Sequence, residues 1–360
     1  MKVLHVIDLM SVGGAQILIK GIFERYNNPE HYLFVLRKSE NLIEVNHRNV
    51  TYANAAGKYS IKPLIELKKF IQKNDIQIIH CYLLKSQVFT WILKRTVLPK
   101  LKIIFHELGE IFMNNSRIFK YFMKTAEKRT NLYFAVSDST AQALHEKIGI
   151  TEKKIVTLYN YVIHENYRRE DILKNRARLR EAQNIAPSDF IIGYAGRLSY
   201  EKGPIHLINA LPFLSGNYKL FIAGTGPQRE MLENQIEEIG LSDKVVFLGF
   251  VTRMIDAYAL FDALIIPSEH ESFGLVAVEA QCMKIPVIAS NVPGLNEVVI
   301  ENISGLQFES KKPEDLARQI SKLMSDKALQ TDLAEKAYRY AMRYDIEKYY
   351  SKMMQAYAEL

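Results

Sequence analysis

Two cations stand five positions apart in a segment framed by glycines. Arg197 follows Gly196, and Lys202 precedes Gly203, directly after the apolar run Phe190–Ala195. Arginine offers a planar fork and lysine a mobile point charge, so the pair suits a diphosphate. The glycines let a ligand approach the backbone closely. The pattern predicts an anion-binding loop at the end of a strand, with two solvated surface cations as the alternative.

Two glutamates eight positions apart flank the start of a predicted helix. Glu271 precedes that helix, which begins near Gly274, and Glu279 lies inside it among apolar neighbours. Such a carboxylate needs strong hydrogen-bond donors, and a ribose diol can supply two. The alternative is a capping Glu271 and an exposed Glu279. The backbone N–H groups expected to face a phosphate or sugar hydroxyl are those of Phe273, Gly274 and Leu275.

Weaker signals follow three other predicted strands. Gly13 and Gly14 come after the first strand, and Gly224 and Gly226 form a partial glycine-rich turn after the run Lys219–Ala223. His106 ends another strand on the side where ligands bind in open α/β sheets. Each feature also fits a structural role, as a tight turn or as a buried core histidine.

The elements that must position these residues alternate between short β-branched runs and helix-like segments. This alternation predicts two α/β domains with doubly wound parallel sheets, and two such domains facing each other would form a cleft. A polar, arginine-rich linker is expected at about 159–186, and Asp138 is the expected N-cap of a helix over Ser139–Ile148. The predicted strands are Lys2–Ile7, Tyr32–Leu36, Ile76–His80, Lys102–His106, Leu132–Val136, Ile155–Leu158, Phe190–Ala195, Lys219–Ala223, Val245–Leu248, Ala263–Ile266 and Pro286–Ala289.

Length and composition agree with this organisation. The 360 residues are 48% hydrophobic and 24% charged, which excludes a disordered or low-complexity protein and suits two domains. The two cysteines, Cys81 and Cys282, form no disulfide framework, so a reducing cytoplasm is expected. No apolar run is long enough to span a bilayer. The sequence contains no Asp-x-Asp and no cluster with metal-ligand spacing, so no metal site is predicted.

Charge is unevenly distributed along the chain. Residues 1–165 hold 24 Lys and Arg against 14 Asp and Glu, whereas residues 166–360 hold 23 against 26. A basic half suggests an anionic partner, such as nucleic acid, a membrane leaflet or a phosphorylated substrate. Nucleic acid is disfavoured because the sequence shows neither the interleaved aromatic motif of RNA-binding modules nor the pattern of a helix-turn-helix motif.

The motifs taken together resemble the retaining glycosyltransferases of family 4. That resemblance implies a GT-B fold of two Rossmann-like domains, 1–165 for the acceptor and 166–343 for the nucleotide sugar, with a helix at 344–360 returning to the first domain. The family often has Asn-Gly-Val-Asp where this chain has 160–163, Asn-Tyr-Val-Ile. The matching segments are Gly13-Gly14, Gly196-Arg197, Lys202-Gly203, Gly224-Thr225-Gly226-Pro227, Pro267-Ser268, Glu271-x7-Glu279, Pro286–Ser290 and Gly294–Glu297.

The resemblance also implies roles for the candidate residues and a reaction. A hexose or N-acetylhexosamine would move, with retention and without metal, from a UDP-sugar (or a GDP-sugar) to a hydroxyl of a lipid-linked or cell-surface glycan precursor. The donor is a substrate, so no cofactor is expected. The implied contacts are Arg197, Lys202 and Gly14 to the diphosphate, Glu279 to the ribose, Glu271 with the Phe273–Leu275 backbone to the hexose, and His106 to the sugar.

Other functions remain open beside this one. A soluble-acceptor glycosyltransferase and a GT-B nucleotide-sugar epimerase fit the same motifs. A phosphorylase would need a pyridoxal-phosphate lysine, which no motif marks, and a nicotinamide dehydrogenase is disfavoured because the third glycine of its fingerprint is missing.

Three basic helical segments predict that the protein docks on the inner face of an anionic membrane. In the third, aromatic side chains alternate with cations, as in an interfacial helix. The alternative is that the aromatic residues pack on the sheet and the cations are solvated. The segments are Lys62–Lys73, Lys85–Lys100 and Arg117–Arg129.

Overall fold

The chain divides into two compact units in a computed structural model. Unit 1 comprises Met1–Tyr161 and Ile346–Leu360, and unit 2 comprises Val162–Asp345. The sequence placed the corresponding divisions after residues 165 and 343. The structure describes residues 1–11, 13–38, 43–53, 60–109, 111, 116–167 and 169–360.

Unit 1 contains a parallel sheet of seven strands in the order β3-β2-β1-β4-β5-β6-β7. Its central strands are mostly apolar, with one histidine in each, and are buried along their whole length, as expected for a sheet covered by helices on both sides. The strands are β1 Val3–Ile7, β2 His31–Val35, β3 Val50–Tyr52, β4 Ile78–Tyr82, β5 Lys102–Glu107, β6 Leu132–Ala135 and β7 Ile155–Thr157.

Helices connect the strands of unit 1. Helix α4 begins at a Ser116 cap, whose hydroxyl accepts a hydrogen bond from the N–H of Phe119 at 3.2 Å. A similar cap at Ser137 starts α5, so the predicted cap at Asp138 is wrong by one residue. The helices are α1 Gly14–Tyr26, α2 Lys62–Lys73, α3 Leu84–Thr96, α4 Arg117–Ala126 and α5 Asp138–Ala143, the last followed by a single wider turn over Leu144–Ile148.

Unit 2 contains a second parallel sheet, of six strands in the order β10-β9-β8-β11-β12-β13. Strands β8 and β11 lie at its centre, so the loops that follow them emerge side by side from the carboxyl edge. The strands are β8 Phe190–Ala195, β9 Tyr218–Ala223, β10 Val245–Gly249, β11 Ala263–Ile266, β12 Val287–Ser290 and β13 Leu306–Phe308.

The helices of unit 2 include one where the sequence predicted a linker. Helix α6 occupies half of that segment, and two of its arginines bind one carboxylate: Arg176 and Arg180 lie 2.5 and 2.6 Å from Asp262. The arginine-rich composition thus reflects an ion-pair network rather than a solvated linker. The helices are α6 Arg169–Ala182, α7 Pro204–Ala210, α8 Arg229–Glu238, α9 Met254–Tyr258, α10 Leu275–Cys282, α11 Leu295–Val298, α12 Pro313–Ser325 and α13 Lys327–Ala341.

The last helix, α14 Ile346–Ala358, belongs to unit 1. Its exposed side holds Glu347, which pairs with Arg25 of α1 at 2.7 Å, and Tyr350 stacks on Tyr26 with ring centroids 3.6 Å apart. Its inner side is buried at Met353 and Tyr357. The expectation that the chain returns to its first sheet is confirmed.

The basic helices of unit 1 bury much of the apolar surface that the membrane hypothesis used. Phe119 and Met123 of α4 lie in the core, as the alternative interpretation expected. Trp91 of α3 packs against the same core, and Lys94 donates to Asn131 at 2.7 Å. The large apolar side chains that α4 leaves exposed are Ile118 and Tyr121, at 82% and 73%. Across the described ranges, no helix is long and apolar enough to cross a bilayer.

Candidate functional site

The loops at the carboxyl edge of the unit 2 sheet pack backbone to backbone. Gly196 N–H donates to Ala223 at 3.0 Å, and Leu198 N–H donates to Thr225 at 2.9 Å. A Cβ on Gly224 would lie 1.8 Å from the carbonyl oxygen of Gly196, so only glycine fits there. The predicted glycine-rich turn therefore has a steric reason that is independent of any ligand.

The structure brings Lys202 and Glu271 together. The Lys202 Nζ lies 2.6 Å from the Glu271 Oε2, and the side chains are 32% and 13% exposed. The loops that carry them also share backbone bonds, since the N–H of Glu269 donates to the carbonyl of Glu201 at 2.9 Å. A cation after β8 and a carboxylate after β11 thus meet at one point of the sheet edge.

Arg197 is placed differently from Lys202. Arg197 is exposed, and its guanidinium makes no hydrogen bond to any residue that the structure describes. Its backbone is fixed instead, because the Tyr194 hydroxyl donates to the Arg197 carbonyl at 2.8 Å. The expected convergence of Arg197 and Lys202 on one anion stays a prediction.

Glu279 is held by two tyrosines. The hydroxyl of Tyr258 donates to its Oε2 at 2.6 Å, and Tyr167 donates a second hydrogen bond. Burial raises the pKa of the Glu279 carboxyl, although both hydroxyls act in the opposite direction. The alternative of an exposed Glu279 is therefore wrong. The argument that this carboxylate needs a ribose is also incomplete, because the protein itself supplies two donors.

A helix begins shortly after Glu271, as the sequence predicted. Gly274 has φ +90°, a backbone conformation that favours glycine, and α10 begins at Leu275. Phe273 is buried, and its ring meets Tyr344 edge-on with centroids 5.1 Å apart. The backbone between Glu271 and the helix is thus anchored through the buried ring of Phe273.

The glycine pair of unit 1 lies at the start of α1. Gly14 is the first helical residue, and Gly13 has extended backbone. The Gln16 Nε2 donates to the carbonyl of Leu9 at 3.0 Å, which ties the helix start to the end of β1. The intervening Val12 lies outside the described residues, and the proposed proximity of this turn to a diphosphate stays a prediction.

Beside that turn lies a charged cluster that the sequence analysis missed. Asp8 follows β1 and accepts hydrogen bonds from the Arg37 guanidinium, and the Lys85 Nζ lies 3.3 Å from the same carboxylate. The only sequence signal was a charged residue directly after each of two strands.

His106 is enclosed within the unit 1 sheet. It is 1% exposed, and its Nδ1 lies 3.1 Å from the Nε2 of His80. Burial lowers the pKa of His106 to about 3, so the ring is neutral near pH 7. Its Nε2 makes no hydrogen bond within the described part of the chain. Contact with a sugar would thus use that atom. His106 is the last of a row of histidines that the sequence analysis missed, because each one lies on a different strand. The row consists of His31, His5, His80 and His106.

Among the described residues, no group of three or more His, Cys, Asp and Glu side chains is placed to hold a metal ion.

The candidate residues predicted from the sequence form two sets in the structure. One set lies at the edge of the unit 2 sheet around Lys202, Glu271 and Glu279. The other lies in unit 1 around Gly14 and His106.

Two family profiles match the chain. The profile described as "Glycosyltransferase Family 4" matches residues 13–166, and the profile described as "Glycosyl transferases group 1" matches residues 175–340. Together they span most of both units.

Similar proteins of known sequence support the same assignment. An uncharacterized glycosyltransferase of Methanocaldococcus jannaschii, MJ1178, is 26% identical over 97% of this chain and 95% of its own length. The D-inositol 3-phosphate glycosyltransferase of Corynebacterium urealyticum is 35% identical over 50% of this chain and 46% of its own length. The chain thus spans about half the length of some curated relatives that it matches.

A solved structure shows the same fold. The Anabaena protein Alr3699/HepE in complex with UDP-glucose superposes with a TM-score of 0.87 at 22% identity, covering 100% of both chains. The expected GT-B fold, with two Rossmann-like parallel sheets, is confirmed.

Proposed function

Because the chain belongs to the glycosyltransferases of family 4, we propose that it moves a hexose or N-acetylhexosamine from a nucleotide sugar to a hydroxyl acceptor. The observation that carries this proposal is the meeting of Lys202 with Glu271 at the sheet edge that also presents Glu279. The UDP-glucose bound by HepE supports a UDP-sugar as the donor, with a GDP-sugar as the alternative.

The side chains divide the donor between them. Lys202 and Arg197 hold the diphosphate, together with the N–H groups at the start of α10. Glu279 accepts hydrogen bonds from the ribose hydroxyls, using lone pairs that the two tyrosines leave over. Glu271 holds the hexose, with the backbone of Phe273–Leu275. From unit 1, the Gly13–Gly14 turn lies near the diphosphate and His106 contacts the sugar.

The reaction that fits these residues is a front-side displacement with retention. The bond between the sugar C1 and the diphosphate oxygen breaks, and the acceptor oxygen forms its bond to C1 on the same face. The acceptor proton passes to a phosphate oxygen of the departing diphosphate, so no protein base is required. Fixed cations and backbone dipoles stabilise the charge that develops on the leaving group. We expect this stabilisation to come from the protein without a metal ion.

A lipid-linked glycan precursor is the acceptor we propose. Two exposed apolar side chains on α4, Ile118 and Tyr121, stand beside exposed cations of the same helix, Arg117 and Lys124. Such a surface can bind an anionic leaflet at the inner face of the cell membrane, where a lipid-linked acceptor would lie. The enzyme would thereby serve in building a cell-envelope polysaccharide.

Donor binding and turnover test the function in two steps. A thermal-shift screen of UDP, GDP, ADP and their sugars should show stabilisation by one nucleotide, about 2.7 kcal/mol at 100 times its dissociation constant. Release of nucleoside diphosphate should then depend on an added acceptor and persist in EDTA, and NMR of the product should show retained anomeric configuration. Epimerised sugar formed without acceptor would favour the epimerase. Absence of any nucleotide effect would contradict both functions.

A further inference from the structure

A row of four buried histidines crosses the unit 1 sheet. The rings come from four adjacent strands, β2, β1, β4 and β5, and none is more than 2% exposed. Ring nitrogens meet at two points: His5 Nε2 lies 3.2 Å from His31 Nδ1, and His80 Nε2 lies 3.1 Å from His106 Nδ1. Each neutral ring carries one N–H and one lone pair, so each contact needs a definite tautomer.

A tyrosine of the C-terminal helix determines the tautomer of His80. The Tyr357 hydroxyl lies 2.6 Å from the His80 Nδ1 and makes no other hydrogen bond to a described residue. Tyr357 is 1% exposed, so bulk water does not reach its hydroxyl. A buried hydroxyl that can reach a lone pair donates to it. The His80 Nδ1 is therefore the acceptor, and its proton sits on Nε2.

Tyr82 agrees with this assignment. Its hydroxyl lies 2.9 Å from the His5 Nδ1 and 3.2 Å from the His80 Nδ1. With the His80 lone pair taken by Tyr357, Tyr82 donates to His5. The His5 Nε2–H then donates to His31, so both contacts between rings have one donor and one acceptor. The 3.2 Å approach of Tyr82 to the His80 Nδ1 is then a contact with no proton between the two atoms.

The same logic reaches His106. The His80 Nε2–H donates to the His106 Nδ1, so the His106 proton sits on Nε2. That nitrogen ends the row at the carboxyl end of β5 and has no hydrogen-bond partner among the described residues. A buried N–H without a protein acceptor needs an acceptor from elsewhere, and a bound ligand can supply it. The His31 Nε2 at the other end of the row also has no partner among the described residues, but it lies at the start of β2.

We propose that Tyr357 and His80 are positioning residues that hold His106 as its Nε2–H tautomer, so that this N–H donates to a hydroxyl oxygen of the transferred sugar. The hydrogen bond from His106 to the sugar rests on the proposed function, whereas the tautomer of His106 does not. The helix that returns from the far end of the sequence would thus set the hydrogen-bond polarity of a candidate sugar-binding residue. Burial keeps the pKa of His106 low, and the neutral ring can donate from Nε2 in only one of its two tautomers.

Long-range proton–nitrogen NMR of the full chain labelled with [¹⁵N]histidine tests the tautomer directly. Substitution of each histidine by glutamine assigns the signals. We expect His80 and His106 to show a protonated Nε2 and an unprotonated Nδ1. A protonated Nδ1 on His106 in the unmodified protein overturns the proposal.

Two variants on one helix separate the hydrogen bond from general packing. Tyr357→Phe removes the donor to His80, and Tyr349→Phe removes a buried hydroxyl of α14 that has no partner among the described residues. We expect Tyr357→Phe to give mixed tautomers at His80 and His106, more completely when combined with Tyr82→Phe. Tyr349→Phe should leave both signals unchanged. Unchanged signals in the double variant would overturn the proposal.

Substitutions at His80 provide a rescue. His80→Gln places an amide N–H near the position of the ring Nε2, whereas His80→Leu supplies no donor. We expect the glutamine variant to retain the Nε2–H form of His106 and the leucine variant to lose it. Equal spectra for the two variants would contradict the role of His80.

Kinetics test whether the His106 Nε2–H contacts the sugar. Tyr357→Phe should lower kcat about fivefold to tenfold, the effect of one lost hydrogen bond, with little change in KM for the nucleotide sugar. Tyr349→Phe should change neither. If the predicted tautomer is found but no donor is used, the proposed function fails while the positioning role of Tyr357 stands. Normal kcat in a variant with mixed tautomers would refute the sugar contact.

Discussion

The ion pair between Lys202 and Glu271 joins two side chains that we expect to contact different parts of the donor. At 2.6 Å, the carboxylate fixes a flexible lysine at the sheet edge and neutralises much of its charge. A diphosphate carries more negative charge than one carboxylate, so it can draw Lys202 away and release Glu271 for the sugar hydroxyls. Arg197 makes no hydrogen bond to a described residue, so we expect it to bind the diphosphate without first breaking one.

Lys202→Ala and Arg197→Ala should each lower kcat about 100-fold or more, because each removes a cation from the leaving group. Initial rates of nucleoside diphosphate release measure the effect, and circular dichroism checks the fold. Lys336→Ala is the matched control, since this exposed lysine of unit 2 lies on α13 and pairs with Asp332 of the same helix. Near-normal rates in both site variants would refute the assignment of the diphosphate.

Glu279 gives a prediction about pH. Its pKa is raised by burial, so the carboxyl becomes protonated at a higher pH than an ordinary glutamate, and the protonated form cannot accept two ribose hydrogen bonds. Binding of nucleoside diphosphate should therefore tighten as pH rises through the raised pKa. Calorimetry between pH 5 and pH 8 should show this dependence in the unmodified protein and a weaker, flatter profile in Glu279→Gln. Equal affinities at pH 8 would exclude a ribose contact.

The identity of the site residues was predictable, but their partners were not. The spacing of Glu271 and Glu279 and the glycine frame of Lys202 are visible in the sequence because each follows a strand. Tyr167 and Tyr258 lie more than 20 positions from Glu279 and belong to no motif, so their hydrogen bonds depend on tertiary packing. Long-range side-chain contacts of this kind leave no periodic signal.

At the scale of elements, the sequence predicted most strands and helices and missed β3 and β13. Both have three residues and lie at sheet edges, where so short a run shows little pattern of its own, although the equally short edge strand β7 was predicted. The segment predicted as a linker is the other miss, because the composition of α6 is mostly polar and the helix is stabilised by Asp262. Both errors arise where tertiary contacts outweigh local sequence.

The sheet of unit 1 should be sensitive to acid. Burial lowers the pKa values of all four row histidines, to about 4 for His31 and about 3 for His106. The unfolded chain therefore binds more protons than the folded one below pH 6.5, so stability is complete above that pH and is lost as pH falls towards the folded values. The loss should reach about 1.4 kcal/mol per pH unit for each proton taken up.

Urea unfolding between pH 7 and pH 4.5 measures this effect. The chain has one tryptophan, Trp91 in unit 1, so its fluorescence reports on that unit. His31→Gln should make the pH dependence less steep, whereas His145→Gln, at an exposed histidine of the same unit, should not. A stability that does not change below pH 6.5 would mean that the row is not buried in solution.

At the scale of the whole molecule, the excess of positive charge lies in one part of the sequence. The first 165 residues carry ten more cations than anions, and the rest carries three more anions than cations. The fold does not require this asymmetry, because both units bury similar parallel sheets between helices. A nucleotide sugar does not explain it either, since its candidate ligands Arg197 and Lys202 lie in unit 2. An anionic surface that binds unit 1 would explain it.

Liposome co-sedimentation tests that explanation. Lys120, Lys124 and Lys128 stand on or just after α4, and each cation near an anionic leaflet contributes about 1 kcal/mol. Changing all three to Glu should weaken binding to anionic vesicles about 100-fold or more, and salt should weaken binding of the unmodified protein. As a control with the same change of charge, Lys312, Lys322 and Lys336, which are exposed in unit 2, are changed to Glu.

Ile118→Ser with Tyr121→Ser should reduce binding further in high salt, where insertion of apolar side chains dominates. Binding that ignores lipid charge, or that the control weakens equally, would favour a soluble acceptor instead.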